Sequence, residues 1–101
     1  FEAALNVIVA ADALVYFGDL NDLLAMARRA LAPDGLLAFT AETFGGEGFR
    51  LDATMRFSHT PAYIESIAAA AGLRPVAMRE ASARREACRD TPGLVCVFAR
   101  A

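Results

Sequence analysis

A chain of 101 residues, 56% hydrophobic and 22% charged with a formal net charge of −2, suits one domain with a packed core. Its ten basic residues are all Arg and are spread along the chain among twelve acids. That leaves no basic footprint for nucleic acid and no polybasic patch for a membrane surface. No apolar stretch nears the ~20 residues of a membrane span, and no signal peptide is visible. Cys88 and Cys96 match no metal or redox spacing, so no metal site is expected and a reducing cytoplasm suits both. The chain opens on Phe1 and enters a core-type strand almost at once, which leads us to expect a piece of a larger domain.

Residues 6–10, "NVIVA", predict a strand buried on both faces, as inside a parallel sheet. Asp19 predicts an N-cap, and Leu20, Leu23, Leu24, Ala27 and Leu31 then share one helical face. Pro33, Asp34 and Gly35 end that helix, and residues 36–41, "LLAFTA", form a second strand. Strand, helix and strand in this order make a right-handed parallel crossover. Residues 43–58 read as a long loop, and Thr60 with Pro61 starts a second helix whose stripe is Ile64, Ile67, Ala68 and Ala71, closed by Gly72. An extended segment from Leu73 to about Ala83, a loop at residues 90–93 and a last strand at residues 94–99 complete the chain. With no helix between them, the last two strands must pair antiparallel.

The segments "VIVAADALVYFGDL", "LLAMARRALAPDGLLAF" and the closing pair "LRPVAMREASAR" and "PGLVCVFAR" together resemble the C-terminal half of a class I S-adenosylmethionine-dependent methyltransferase. The resemblance covers nearly the whole of residues 1–101, and the middle segment carries most of it. It implies a three-layer α/β, partial Rossmann-like fold. A four-stranded mixed sheet, in the order first, second, fourth, third, would end in an antiparallel hairpin flanked by helices. It also implies methyl transfer to a small-molecule acceptor by the parent protein, with S-adenosylmethionine as cofactor. The family's glycine-rich turn and ribose-binding acid have no counterpart. "GGEG" at residues 45–48 follows a strand, but no helix follows it, so a cofactor cradle does not form there. This chain alone is therefore expected to hold an incomplete cofactor site and to be inactive.

Ligands in open sheets of this kind sit beyond the carboxyl ends of the parallel strands. The resemblance thus places Ala10, Ala11 and Asp12 beside the methionine part of the cofactor and turns Phe17 toward the acceptor. Read from the residues alone, Asp12 serves a local turn equally well, and Tyr16 and Phe17 suit the core better. His59, the only histidine, is the candidate base for deprotonating an acceptor, and Arg56 the candidate partner of an acidic one. The competing readings are an exposed helix-entry residue and a solvated loop charge.

A non-catalytic dimerisation module is the alternative from another class. The first strand offers an outer edge without Lys, Pro or inward charge, which a homodimer would cover by pairing it with a second copy. A nicotinamide-type Rossmann half fits less well, because such sheets usually continue parallel.

Overall fold

The computed structural model describes the backbone of residues 4–86 and 89–101, and side chains in that range outside residues 82–91. Strand β1 (Leu5–Ala10) leads through one 3-10 turn, Leu14–Tyr16, to helix α1 (Asn21–Ala30) and strand β2 (Leu31–Glu42). Two short strands, β3 (Phe49–Leu51) and β4 (Phe57–His59), precede helix α2 (Pro61–Ala70). The chain closes with β5 (Leu73–Glu86) and β6 (Arg89–Arg100).

β1 and β2 pair in parallel, with Val7 opposite Leu36 and Ala10 opposite Phe39. On its other side β2 pairs antiparallel with β6, from Leu36 opposite Ala99 to Glu42 opposite Gly93. β5 pairs antiparallel with β6 at the far edge. The main order is therefore β1-β2-β6-β5, the mixed sheet with inserted last strand that the sequence implied. Two additions were not anticipated. Residues 43–58 hold β3 and β4, an antiparallel pair that joins the sheet where Ser58 lies opposite Glu42. The closing hairpin is also longer, because residues 90–93 lie in β6 and pair with β5 instead of forming a loop. Pro92, opposite Ser82, sits beside a register shift between Ser82 and Arg84, where a missing ladder donor is accommodated, and its carbonyl accepts the Thr43 amide at 3.0 Å.

The helices form as their local chemistry directs. Thr60 caps α2 by accepting the Tyr63 amide at 3.3 Å, and Pro61 occupies the first turn. Beyond the C-cap Ala71, Gly72 takes the left-handed conformation at φ 84°. In α1 the N-cap is Leu20, one residue later than expected. Asp19 still accepts the Asn21 amide at 2.9 Å, so its carboxylate serves the first turn from just outside the helix.

Both helices lie on one face of the sheet. Leu20, Leu24, Ile64, Ile67 and Ala68 pack against Leu37, Phe39, Ala41, Leu94, Cys96 and Phe98 in one core cluster. Phe39 and Phe98 stack with centroids 5.9 Å apart. The structure is thus two-layered over its described residues, which corrects the three-layer expectation. The opposite face carries Val7 (56% exposed), Val9 (69%), Leu36 and Val95 in the open. β1 is accordingly not buried on both faces, although its composition asks for that. Among the described residues its only strand partner is β2.

Candidate functional site

β1 and β2 point their carboxyl ends the same way, and Asp12, Thr40, Glu42 and Arg56 gather there. At the end of β1 the chain turns sharply. Asp12 adopts φ 54°, a left-handed conformation uncommon for a residue with a side chain. Its amide donates to Thr40 Oγ1 at 2.9 Å, fastening the turn to β2. Successive residues then part company. Ala10 faces the core cavity beside Ile8 and Leu14, whereas Ala11 lines an open groove on the bare face with Val9, Ala38 and Val95.

Asp12 also reaches the rim of a cavity of about 90 Å³ beyond the end of β2, with Val15, Thr40, Ala41, Glu42 and Leu94 among its walls. Arg56 holds this corner together. It closes the tight turn joining β3 and β4, in which the Asp52 amide donates to the Arg56 carbonyl at 2.9 Å and Met55 takes φ 65°. Its Nε donates to Glu42 Oε2 at 2.7 Å and its Nη2 to Asp12 Oδ1. Glu42 is buried, Asp12 is exposed, and Arg56 lies between them with 17% of its side chain accessible. Burial opposes the guanidinium charge, but the bonds to Glu42 and Asp12 more than offset it and hold its pKa above the ordinary value. Tyr16 offers its ring to the same guanidinium at 5.9 Å. Arg56 is therefore neither a solvated loop charge nor an unengaged cation awaiting an acidic acceptor.

His59 lies in another setting. It is fully buried, so the exposed helix-entry reading is wrong. Its ring stacks on Tyr63, and Phe49 tilts against both. Nε2 stands 2.8 Å from the Phe17 carbonyl and 3.0 Å from that of Gly18. Carbonyls only accept, so Nε2 carries the proton and Nδ1 is a bare acceptor, buried with no hydrogen-bond partner among the described residues. Burial pushes the imidazole pKa down, against the pull of the two carbonyls. The geometry makes His59 a fastener of the segment after β1 and gives the role of base no support. Tyr63 does similar work, its hydroxyl accepting the Leu20 amide at 3.1 Å. Gly18 lets this packing close, since a Cβ there would stand 2.5 Å from the Phe49 ring.

Phe17 and Tyr16 are 47% and 65% exposed, which corrects the core assignment. The core positions fall to their neighbours Leu14 and Val15, because the 3-10 turn rotates those inward. The structure thus brings Asp12, Tyr16 and Arg56 together, keeps His59 apart, and adds Thr40 and Glu42. A hydroxyl and an acid closing an otherwise apolar strand were the available sequence signals. Cys96 is buried; Cys88 lies outside the described residues.

No family model and no curated protein matches the sequence. Solved structures do match its fold. A methyltransferase from Methanosarcina mazei, described as S-adenosylmethionine-dependent, superposes with a TM-score of 0.76 at 11% identity over 98% of this chain and 60% of its own. The Burkholderia thailandensis 1,6-didemethyltoxoflavin-N1-methyltransferase gives 0.78 at 18% over 99% and 45%. The chain shares the fold that these methyltransferases show over part of their length. A third structure, the N-methyltransferase NodS from Bradyrhizobium japonicum solved with S-adenosylhomocysteine, gives 0.66 at 22% over 99% and 48%. The chain spans roughly half the length of these methyltransferases. The [4+2]-cyclase SpnF also shares the fold, with a TM-score of 0.76 at 14% identity.

Proposed function

We propose that this chain is the C-terminal part of an S-adenosylmethionine-dependent methyltransferase domain acting on a small molecule. The observation that carries the reading is the sheet order β1-β2-β6-β5, parallel and then antiparallel, with the polar corner at the shared carboxyl end of β1 and β2. SpnF shows that the fold alone does not assign the reaction, so the site has to carry that argument. Ala11 and Asp12 stand where a cofactor's methionine end would meet the sheet, and the Asp12 turn is held from both sides by Thr40 and Arg56. Methyl transfer needs alignment and a dry, shaped site more than protein nucleophiles, and an engaged, partly buried corner suits that need. Bound there, the cofactor would supply the methyl group. This chain's residues would position it and shape the acceptor space.

The test is a titration of the 101-residue chain with S-adenosylhomocysteine, followed by calorimetry and by amide chemical shifts in heteronuclear NMR. Expected are shifts at Ala10, Ala11 and Asp12 at millimolar ligand and no micromolar binding, since this chain supplies no glycine-rich turn for the adenosine end. Shifts confined to other regions would overturn the placement of the site. Micromolar binding would overturn the idea that the site is incomplete.

A second reading, an association module, is favoured by one observation. Among the described residues, nothing pairs with the outer edge of β1 or covers the apolar face beside it, Val7 and Val9 foremost. Pairing of two β1 edges about a two-fold axis would extend the sheet through a homodimer. Light scattering coupled to size exclusion reads a dimer if this holds; a stable monomer at high concentration rejects it.

A further inference from the structure

Residues 16–19 cross the surface between two anchors. Val15 before them and Leu20 after them are buried, but none of the four between is. His59 ties this stretch down, its Nε2 donating to the Phe17 and Gly18 carbonyls at 2.8 and 3.0 Å. The tie works in both directions. The Gly18 backbone lies against the Phe49 and Phe57 rings, and Phe49 and Tyr63 pack on the imidazole. Nδ1 is thereby sealed from water with no hydrogen-bond partner among the described residues. A proton arriving there would put a full charge in a buried place, with no acceptor for the new N–H.

The ionisable groups on the elements packed against His59 are engaged elsewhere or exposed. Asp19 accepts from Asn21, and Asp12 accepts from Arg56. On the strands, Arg50 and Ser58 both donate to Asp52, and Arg56 donates to Glu42. Glu47 before β3 and Glu65 on α2 are exposed, and the Tyr63 hydroxyl accepts the Leu20 amide. Burial is accordingly the largest cause of the lowered His59 pKa, with only the two carbonyls opposing it and no charged side chain contributing. Charge on the ring is relieved when water reaches it. Lifting residues 16–19 lets water in and exposes no buried side chain of that stretch.

We propose that residues 16–19 are a proton-operated flap, shut over neutral His59 and released when Nδ1 takes a proton from solvent. The flap carries the Tyr16 ring that stands by the Arg56 guanidinium, so its release dismantles the rim of the Asp12–Arg56 corner. The sheet and both helices stay folded while it moves. As a control on the site the flap rests on the methyl-transfer reading; as a movement of the chain it does not. Its test uses no ligand, so either can fail without the other.

Amide hydrogen exchange on the isotope-labelled 101-residue chain, corrected for intrinsic rates, reads the flap. The Tyr16 and Phe17 amides, bonded to the Ala13 and Leu14 carbonyls, report on it, and those of Phe39 and Cys96, on the inner strands, report on the sheet. At pH 7 the flap pair should exchange at least about tenfold faster than the sheet pair. Between pH 7 and pH 5.5 flap opening should rise about fivefold, as an exposed imidazole of ordinary pKa takes up its proton. His59→Gln keeps a donor near Nε2 and does not titrate, so there the rise should vanish. Equal protection in both pairs, flap opening that ignores pH, or a pH response that survives in His59→Gln overturns the proposal. If that variant does not fold, the imidazole nitrogen shifts of the wild type decide in its place. Nδ1 bare at pH 7 supports the flap, and Nδ1 protonated there overturns it.

Discussion

Replacing Arg56 with Met should destabilise the protein by about 2–3 kcal/mol, because the variant takes a charged partner away from a buried carboxylate. Arg56 Nε lies 2.7 Å from Glu42 Oε2, and the Glu42 side chain is only 3% exposed. Breaking a fully buried ion pair by removing one partner costs about 3–5 kcal/mol. Two features lower that here. The second contact, to the exposed Asp12 carboxylate, is worth less than about 1 kcal/mol, and the space opened by the shorter side chain admits water to Glu42. For a domain of this size the loss corresponds to a fall in Tm of roughly 10–15 °C. Urea denaturation at pH 7, followed by circular dichroism, measures it. The double variant Glu42→Gln/Arg56→Met should recover most of the loss, because the buried charge is gone as well. A single-variant cost below about 0.5 kcal/mol would mean that Glu42 is solvated and that the corner is not held as described. A double variant worse than the single one would show that Arg56 acts through its carbon stem.

Three further outcomes follow from the same geometry. The His59 pKa is lowered by burial, so its neutral form is the one the fold accommodates. Its contribution to stability is full above the ordinary value of about 6.5 and is lost as pH falls below it, so His59→Asn should flatten the acid limb of a stability–pH curve. The two-layer arrangement sets a contrast between faces. Ile64→Val in the core should cost about 1 kcal/mol, while Val9→Ala on the open face should change chemical stability by less than about 0.5 kcal/mol. A large cost for Val9→Ala would show that the face is covered in solution. Burial, with a smaller push from Glu65, raises the Cys96 thiol to about 12. In a Cys88→Ser background the folded protein should therefore resist iodoacetamide at pH 8 and react only once unfolded.

Much of the architecture follows from local chemistry. The Thr60 and Pro61 pair starts α2 and Gly72 ends it, each for a backbone reason that operates within a few residues. The stripes at Leu20 and Leu24, and at Ile64, Ile67 and Ala68, give the buried sides of both helices, because periodicity records which side must leave water. The absence of a helix between β5 and β6 forces their antiparallel pairing. Tertiary structure decided the rest. Composition marks β1 as apolar but does not reveal whether its second face has a cover; among the described residues it has none. Tyr16 and Phe17 lie outside and Val15 inside because a single 3-10 turn sets their rotation, a phase that a three-residue element cannot show as a period. Arg56 and Asp12 are 44 positions apart and Arg56 and Glu42 are 14 apart. Nothing in a linear pattern pairs them. Only the turn between β3 and β4, folding back over the end of β2, brings three separated charges into one corner.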